Sequence, residues 1–162
     1  MREYKSYKGR NPKTMKRAYT FIRQPADSQI DKIIRLYQTA GWWAGQAREN
    51  SELIRRIVTG SHCFVLVCEG NEIIGMGRAI SDGISDAYIQ DVTVLSEFRG
   101  QGIGTGIVQE ILRQLRADGM QWIGLIADGY SHPFYRKMGF EEMPAAKAML
   151  MMLNVDGIVR ES

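Results

Sequence analysis

The sequence is poor in the residues that carry several common chemistries. It has two cysteines and two histidines in 162 residues. Cys63 and Cys68 lie five positions apart in one expected strand, so they face opposite sides of it and cannot bond to each other. They read as reduced core thiols. His62 and His132 belong to no ligand-spaced group, so no metal site is expected. No apolar run approaches the roughly 20 residues that a membrane-spanning helix needs. The start, Met1-Arg2-Glu3-Tyr4-Lys5, lacks the apolar stretch of a secretory signal. Together these absences argue against membrane, secreted and metal-dependent classes, and the expected compartment is the cytoplasm. No internal repeat or low-complexity segment is present.

What is present begins with charge. Residues 1–17 carry seven Lys or Arg and one Glu, whereas the rest of the chain is mildly acidic although the whole has net charge +3. The arm reads as a basic N-terminal extension over 1–17, solvated or, less favoured, in contact with nucleic acid; no further basic face accompanies it. One domain is expected over 18–154, followed by a short tail, 155–162.

Periodicity orders the domain. Ala18–Arg23 reads as a first strand stopped by Pro25. Asp27 or Ser28 can cap a helix whose Ile30, Ile33, Ile34 and Tyr37 share a face. Gly41-Trp42-Trp43-Ala44-Gly45 breaks it, and the two tryptophans either line a pocket or lid the core. Ser51–Val58 is a second amphipathic segment. Cys63–Cys68 and Glu72–Ile80 form a hairpin over Gly70-Asn71, and Ala87–Val94 adds a third antiparallel strand.

A glycine-rich loop follows. Arg99-Gly100-Gln101-Gly102-Ile103-Gly104-Thr105-Gly106 runs straight into a helix closed at Gly119. A strand turning through glycines into a helix leaves the first helical N–H groups unpaired and aimed at one point, which suits phosphate. The spacing fails the dinucleotide fingerprint in both registers, and the absence of lysine from Arg99 to Gln121 excludes the nucleoside-triphosphate loop. Trp122–Ala127 then reads as a parallel strand buried on both faces. A short helix over Ser131–Met138 has Pro133 in its first turn. Phe140–Glu142 and Ala148–Leu153 read as closing strands, with the methionines as core filling.

Arg-x-x-Gly-x-Gly resembles the acyl-CoA pyrophosphate loop of the GCN5-related N-acetyltransferases. Pro133-Phe134-Tyr135-Arg136-Lys137-Met138-Gly139-Phe140 is similar to a second motif of that superfamily, in the right order after the loop. The resemblance covers about Tyr19 to Leu153 and implies its mixed α/β fold: an antiparallel meander plus a parallel pair splayed around the acyl-CoA site. It implies acetyl-CoA as acyl donor, a small-molecule amine as acceptor, and a homodimer. Backbone groups of Val92 and Val94 would pair with pantetheine. Gln101, Gly102, Ile103, Gly104 and Thr105 would give N–H groups to the pyrophosphate, with Arg99 as a nearby charge or a solvated loop residue.

Transfer from a thioester to an amine needs a proton donor for the thiolate, and Tyr135 matches the tyrosine that the superfamily places by the sulfur. The usual base positions map to Tyr88 and Gln90, which cannot serve. Asp91 and Asp128 are the replacements; water without a dedicated base is the third option. Asp82, Asp86 and Asp128 could attract a cationic amine, and Trp42, Trp43, Tyr88 and Tyr130 could enclose an apolar tail. Gly77–Gly83, Gln90-Asp91-Val92 and Leu125–Asp128 further resemble plant-type aralkylamine (serotonin) N-acetyltransferases, which implies an arylalkylamine acceptor. The other readings are a non-catalytic acyl-CoA-binding module and a protein-lysine or N-terminal acetyltransferase.

Overall fold

The computed structural model describes residues 16–43 and 51–151. Most of the basic arm, Ala44 and Gly45 of the tryptophan loop, Met152 and Leu153, and the tail lie outside the described residues. The chain divides into two compact units, Met1–Leu125 and Ile126–Ser162.

The first unit holds a five-stranded sheet in sequence order, β1 (Arg17–Ile22), β2 (Cys63–Glu69), β3 (Glu72–Ser81), β4 (Asp86–Val94) and β5 (Trp122–Gly124). The first four strands pair antiparallel and β5 lies parallel to β4. The mixed α/β class expected from the sequence holds. Two helices, α1 (Asp27–Thr39) and α2 (Ser51–Thr59), precede the hairpin, and α3 (Ile103–Ala117) links β4 to β5. Neither expected residue caps α1: Ala26 is the N-cap, and its N–H donates to the Gln29 side-chain oxygen at 2.8 Å.

The alternation of side chains along a strand sends successive residues to opposite faces. Phe64, Leu66 and Met76 therefore join Ile30, Ile33, Ile34, Tyr37, Ile54 and Val58 in one core on the α1 face. The other face receives α3 through Ile103, Ile107, Val108, Ile111 and Leu115, each of which removes apolar surface worth roughly 1.5–3 kcal/mol from water. The helix can come this close because β3 is bare there: a Cβ at Gly77 would stand 2.5 Å from Ile107 Cγ2.

Two expectations on strands fail. Trp122–Ala127 is not a strand buried on both faces; β5 is three residues long and half-exposed at the sheet edge. Apolar content alone suggested a central strand, but an edge strand with Trp122 38% exposed carries the same letters. In the second unit, Phe140–Glu142 and the described part of Ala148–Leu153 form no strand. Met149 is 94% exposed and is not core filling. A strand requires a ladder partner as well as a β-prone sequence, and no described residue pairs with this segment.

The second unit is ordered around α4 (His132–Arg136), which has Pro in its first turn as expected. Tyr135 meets Phe134 edge-on at 4.8 Å between ring centroids and Phe140 at 5.8 Å.

Candidate active site

Strand β4 is open along part of its length. Its ladder to β5 covers only Asp86, Ala87 and Tyr88. Beyond Tyr88 the edge facing away from β3 has no strand neighbour among the described residues. Leu95 N–H donates to the Ile74 carbonyl at 2.9 Å, so by the two-residue alternation Thr93 turns its backbone groups to β3 and Val92 and Val94 turn theirs to the open edge. Arg99 confirms the direction for Val94, because its Nε donates to the Val94 carbonyl at 2.9 Å. Arg99 is thus a tether between loop and strand and not a freely solvated charge.

The open edge leads into the start of α3. Its N-cap, Gly102, is left-handed at φ 78° with no side-chain cap, a conformation that costs a residue with a Cβ roughly 1 kcal/mol. The first intrahelical bond runs from Gly106 N–H to the Gly102 carbonyl at 3.0 Å, so the N–H groups of Ile103, Gly104 and Thr105 have no partner inside the helix. A Cβ at Gly102 would meet nothing within 4 Å, so the space above the loop is free for a ligand. Gln101 is held from the side by Arg17 of β1, whose Nη2 donates to Gln101 Oε1; Arg17 Nε is paired with Glu69 at 3.0 Å.

In the middle of β4 the ladder is interrupted. Met76 pairs with Thr93 and Arg78 with Gln90, so Gly77 faces both Asp91 and Val92 across a bulge, and Asp91 is left-handed at φ 54°. Its Oδ2 accepts from Arg78 Nε at 2.5 Å and from the Tyr37 hydroxyl at 2.7 Å. Arg78 also donates through Nη2 to Gln90 Oε1 at 2.8 Å. The pair is largely enclosed, with side chains 16% and 23% exposed for Arg78 and Asp91. Burial first, and then the neighbouring Asp91 charge, push the Tyr37 phenol far above its ordinary range, so its proton stays on oxygen.

The two tryptophans sit differently. Trp43 packs against the core and stacks on Tyr37 at 4.5 Å and 18°, whereas Trp42 meets Tyr37 edge-on at 5.8 Å and is 46% exposed. Tyr88 is exposed on β4 and meets Trp122 edge-on at 5.1 Å. Asp82 accepts from Ile84 N–H at 3.0 Å within its own turn, and Asp86 accepts from the Ser85 hydroxyl at 2.6 Å.

Asp128, Tyr130 and Tyr135 belong to the second unit. Asp128, which follows the segment expected as a buried strand, is exposed, and its Oδ1 accepts from Gly129 N–H at 2.7 Å. Tyr130 is exposed at φ 61°. Burial raises the Tyr135 phenol above its ordinary value.

Tyr37 and Arg78 are the residues that sequence reasoning missed. Tyr37 reads as one more core position at helical spacing, and nothing local announces its hydroxyl. Arg78 did carry a signal: a lone cation within the uncharged run 73–80 needs a buried partner.

The open strand edge ends at an uncapped, glycine-built helix start with unpaired N–H groups. A sequence model of the Acetyltransferase (GNAT) family matches residues 21–140, and the chain belongs to that family. A histone acetyltransferase of Glycine max is 42% identical over 79 residues, covering 47% of this chain and 34% of its own length. The chloroplastic serotonin N-acetyltransferase 2 of Oryza sativa subsp. japonica is 30% identical over 106 residues, 63% of this chain and 53% of its own. The chain therefore spans about a third to a half of these relatives. A probable acetyltransferase of unknown function from meticillin-resistant Staphylococcus aureus shares the fold, with TM-score 0.71 at 24% identity over 85% of this chain and 100% of that one. The cytoplasmic expectation is overturned, because the rice relative is a chloroplast protein. Reduced thiols and the lack of a secretory pattern are common to both compartments, so composition held no signal for the difference.

Proposed function

We propose that this protein transfers the acetyl group of acetyl-CoA to the primary amine of a small acceptor, with arylalkylamines as the favoured class, in a plastid. The observation that carries this reading is the continuity of the open β4 edge with the unpaired N–H groups at the start of α3. Pantetheine amides match the outward backbone groups of Val92 and the N–H of Val94, whose carbonyl Arg99 holds, and a pyrophosphate matches the N–H groups from Gln101 to Thr105. Arg99 adds positive charge beside them while its Nε holds the loop to Val94.

The chemistry asks little else of the chain. The amine lone pair attacks the thioester carbon, the C–N bond forms, and the C–S bond breaks as the oxyanion collapses. Tyr135 supplies the proton that the departing thiolate takes up, and its raised phenol keeps that proton at neutral pH. Asp128 is the better base, since its carboxylate accepts a single bond, from the adjacent Gly129 N–H, whereas Asp91 already neutralises Arg78 and receives the Tyr37 proton donor. The exposed rings of Trp42 and Tyr88 support an apolar or aromatic acceptor tail.

A free-thiol release assay with acetyl-CoA and a panel of tryptamine, serotonin, spermidine and a lysine peptide tests the reading. Turnover is expected to be highest with the aromatic amines. Preference for the lysine peptide would favour the second reading, protein acetylation, which the Glycine max relative supports. Binding of acetyl-CoA with no release for any amine would leave only a sensor module.

A further inference from the structure

The α1 face of β3 and β4 holds a polar cluster that acetyl transfer does not by itself require. A left-handed residue with a side chain is strained by about 1–2 kcal/mol and persists only where its surroundings fix it. For Asp91 the surroundings are Arg78 and Tyr37, both on the same carboxylate oxygen. Arg78 faces Gln90 across the ladder, and the bulge turns the next residue, Asp91, to that same side, so a single guanidinium spans Gln90 and Asp91. Tyr37 closes the cluster from α1. Its backbone carbonyl accepts from Trp42 N–H at 3.1 Å and its ring stacks on Trp43, so the residue that holds the bulge is also the floor of the tryptophan loop.

We infer that Tyr37, Asp91 and Arg78 are positioning residues that couple the tryptophan loop to the β4 bulge, so that an acceptor seated on the loop sets the attitude of the strand carrying the thioester. The inference rests on the acetyl-transfer reading for its ligands. An acceptor ring that presses on Trp43 presses on the Tyr37 ring, and the Tyr37 hydroxyl donates to the strained residue of the bulge. The amine and the carbonyl it attacks are thereby brought into register by one chain of contacts, Trp43 to Tyr37 to Asp91 to Arg78. Misplacing reacting atoms by about 1 Å costs on the order of a hundredfold in rate, so a modest loss of register is measurable.

Tyr37→Phe keeps the ring and its stack and removes only the donor. With the best amine of the panel, kcat is expected to fall about tenfold to a hundredfold while the Kd for acetyl-CoA, by calorimetry, stays within about twofold. Arg78→Lys should move kcat in the same direction, because an ammonium cannot bridge Gln90 and Asp91. In a cycle with Trp43→Leu, the double variant should be no slower than the slower single variant. Unchanged kcat in Tyr37→Phe, or effects that simply multiply in the cycle, overturns the coupling. If no amine releases thiol, the acetyl-transfer reading falls and the coupling is read from emission instead. In a Trp122→Phe background acetyl-CoA should then shift tryptophan fluorescence, and adding Tyr37→Phe should abolish the shift; an equal shift in both overturns it.

Discussion

The two ends of the β4 edge are built from opposite materials. At the α3 end the ligand-facing groups are backbone: Gly102 has no side chain to offer and the helix start has no side-chain cap. At the bulge the backbone is held in place by side chains from three elements, Tyr37 of α1, Arg78 of β3 and Asp91 of β4. Backbone N–H groups at a helix start are fixed by the helix and serve any phosphate equally in ground and transition states, which is a device for affinity. A side-chain cluster that sets one strained residue acts on the geometry of the reacting carbonyl, which is a device for rate. The lesson is that binding and turnover should separate along this strand when either end is damaged.

The largest expected effect tests the rate side. Tyr135→Phe should lower kcat by about ten- to a thousandfold with acetyl-CoA affinity nearly intact, the scale of a lost general acid. The wild-type rate should fall with rising pH only above the ordinary phenol range, because burial raises the Tyr135 pKa and the acid works in its protonated form. Asp128→Asn should lower kcat with acetyl-CoA affinity nearly intact; an unchanged kcat would return the base to Asp91 or to water. Next in size, Gly102→Val should weaken acetyl-CoA binding about ten- to a hundredfold, through left-handed strain and a side chain standing where phosphate would sit. Calorimetry showing equal affinity, or kcat falling at constant Kd, would erase the contrast between the two ends.

The smallest effect calibrates the scaffold that both ends share. Burial pushes the Cys63 thiol up to about 11. The folded protein therefore holds this proton when the unfolded chain has lost it, so stability falls as pH rises from about 9 toward 11, by roughly 3 kcal/mol in all. Cys63→Ala should flatten that part of the pH–stability curve measured by urea denaturation, at some general loss of packing.

The same contrast explains what could be read from the letters. Glycines followed by an amphipathic run state their own geometry, and the strand, helix and strand order around them is local, so the α3 end was legible from Arg99 to Leu115. The bulge was not. Its parts lie at positions 37, 78 and 91, brought together only by the sheet register, and a β-branched run gives no sign that Asp91 is left-handed. Asp91 stands out as a polar residue in an otherwise apolar strand, but nothing near it in the sequence names Tyr37 and Arg78 as its partners. Trp122–Ala127 and Ala148–Leu153 mark the other limit: apolar runs state a preference for burial, whereas strand identity depends on a neighbour that spacing cannot name.

An exposed strand edge is also a hazard, since its free N–H and C=O groups can template the addition of a strand from another molecule. In β4 that danger is confined to the few residues past Tyr88, and two features described for other reasons make them a poor template. The bulge at Asp91 breaks the straight run of groups that a second chain would need, and the Arg99 side chain already occupies the Val94 carbonyl. The strand is left with an open edge too irregular to seed a cross-β stack.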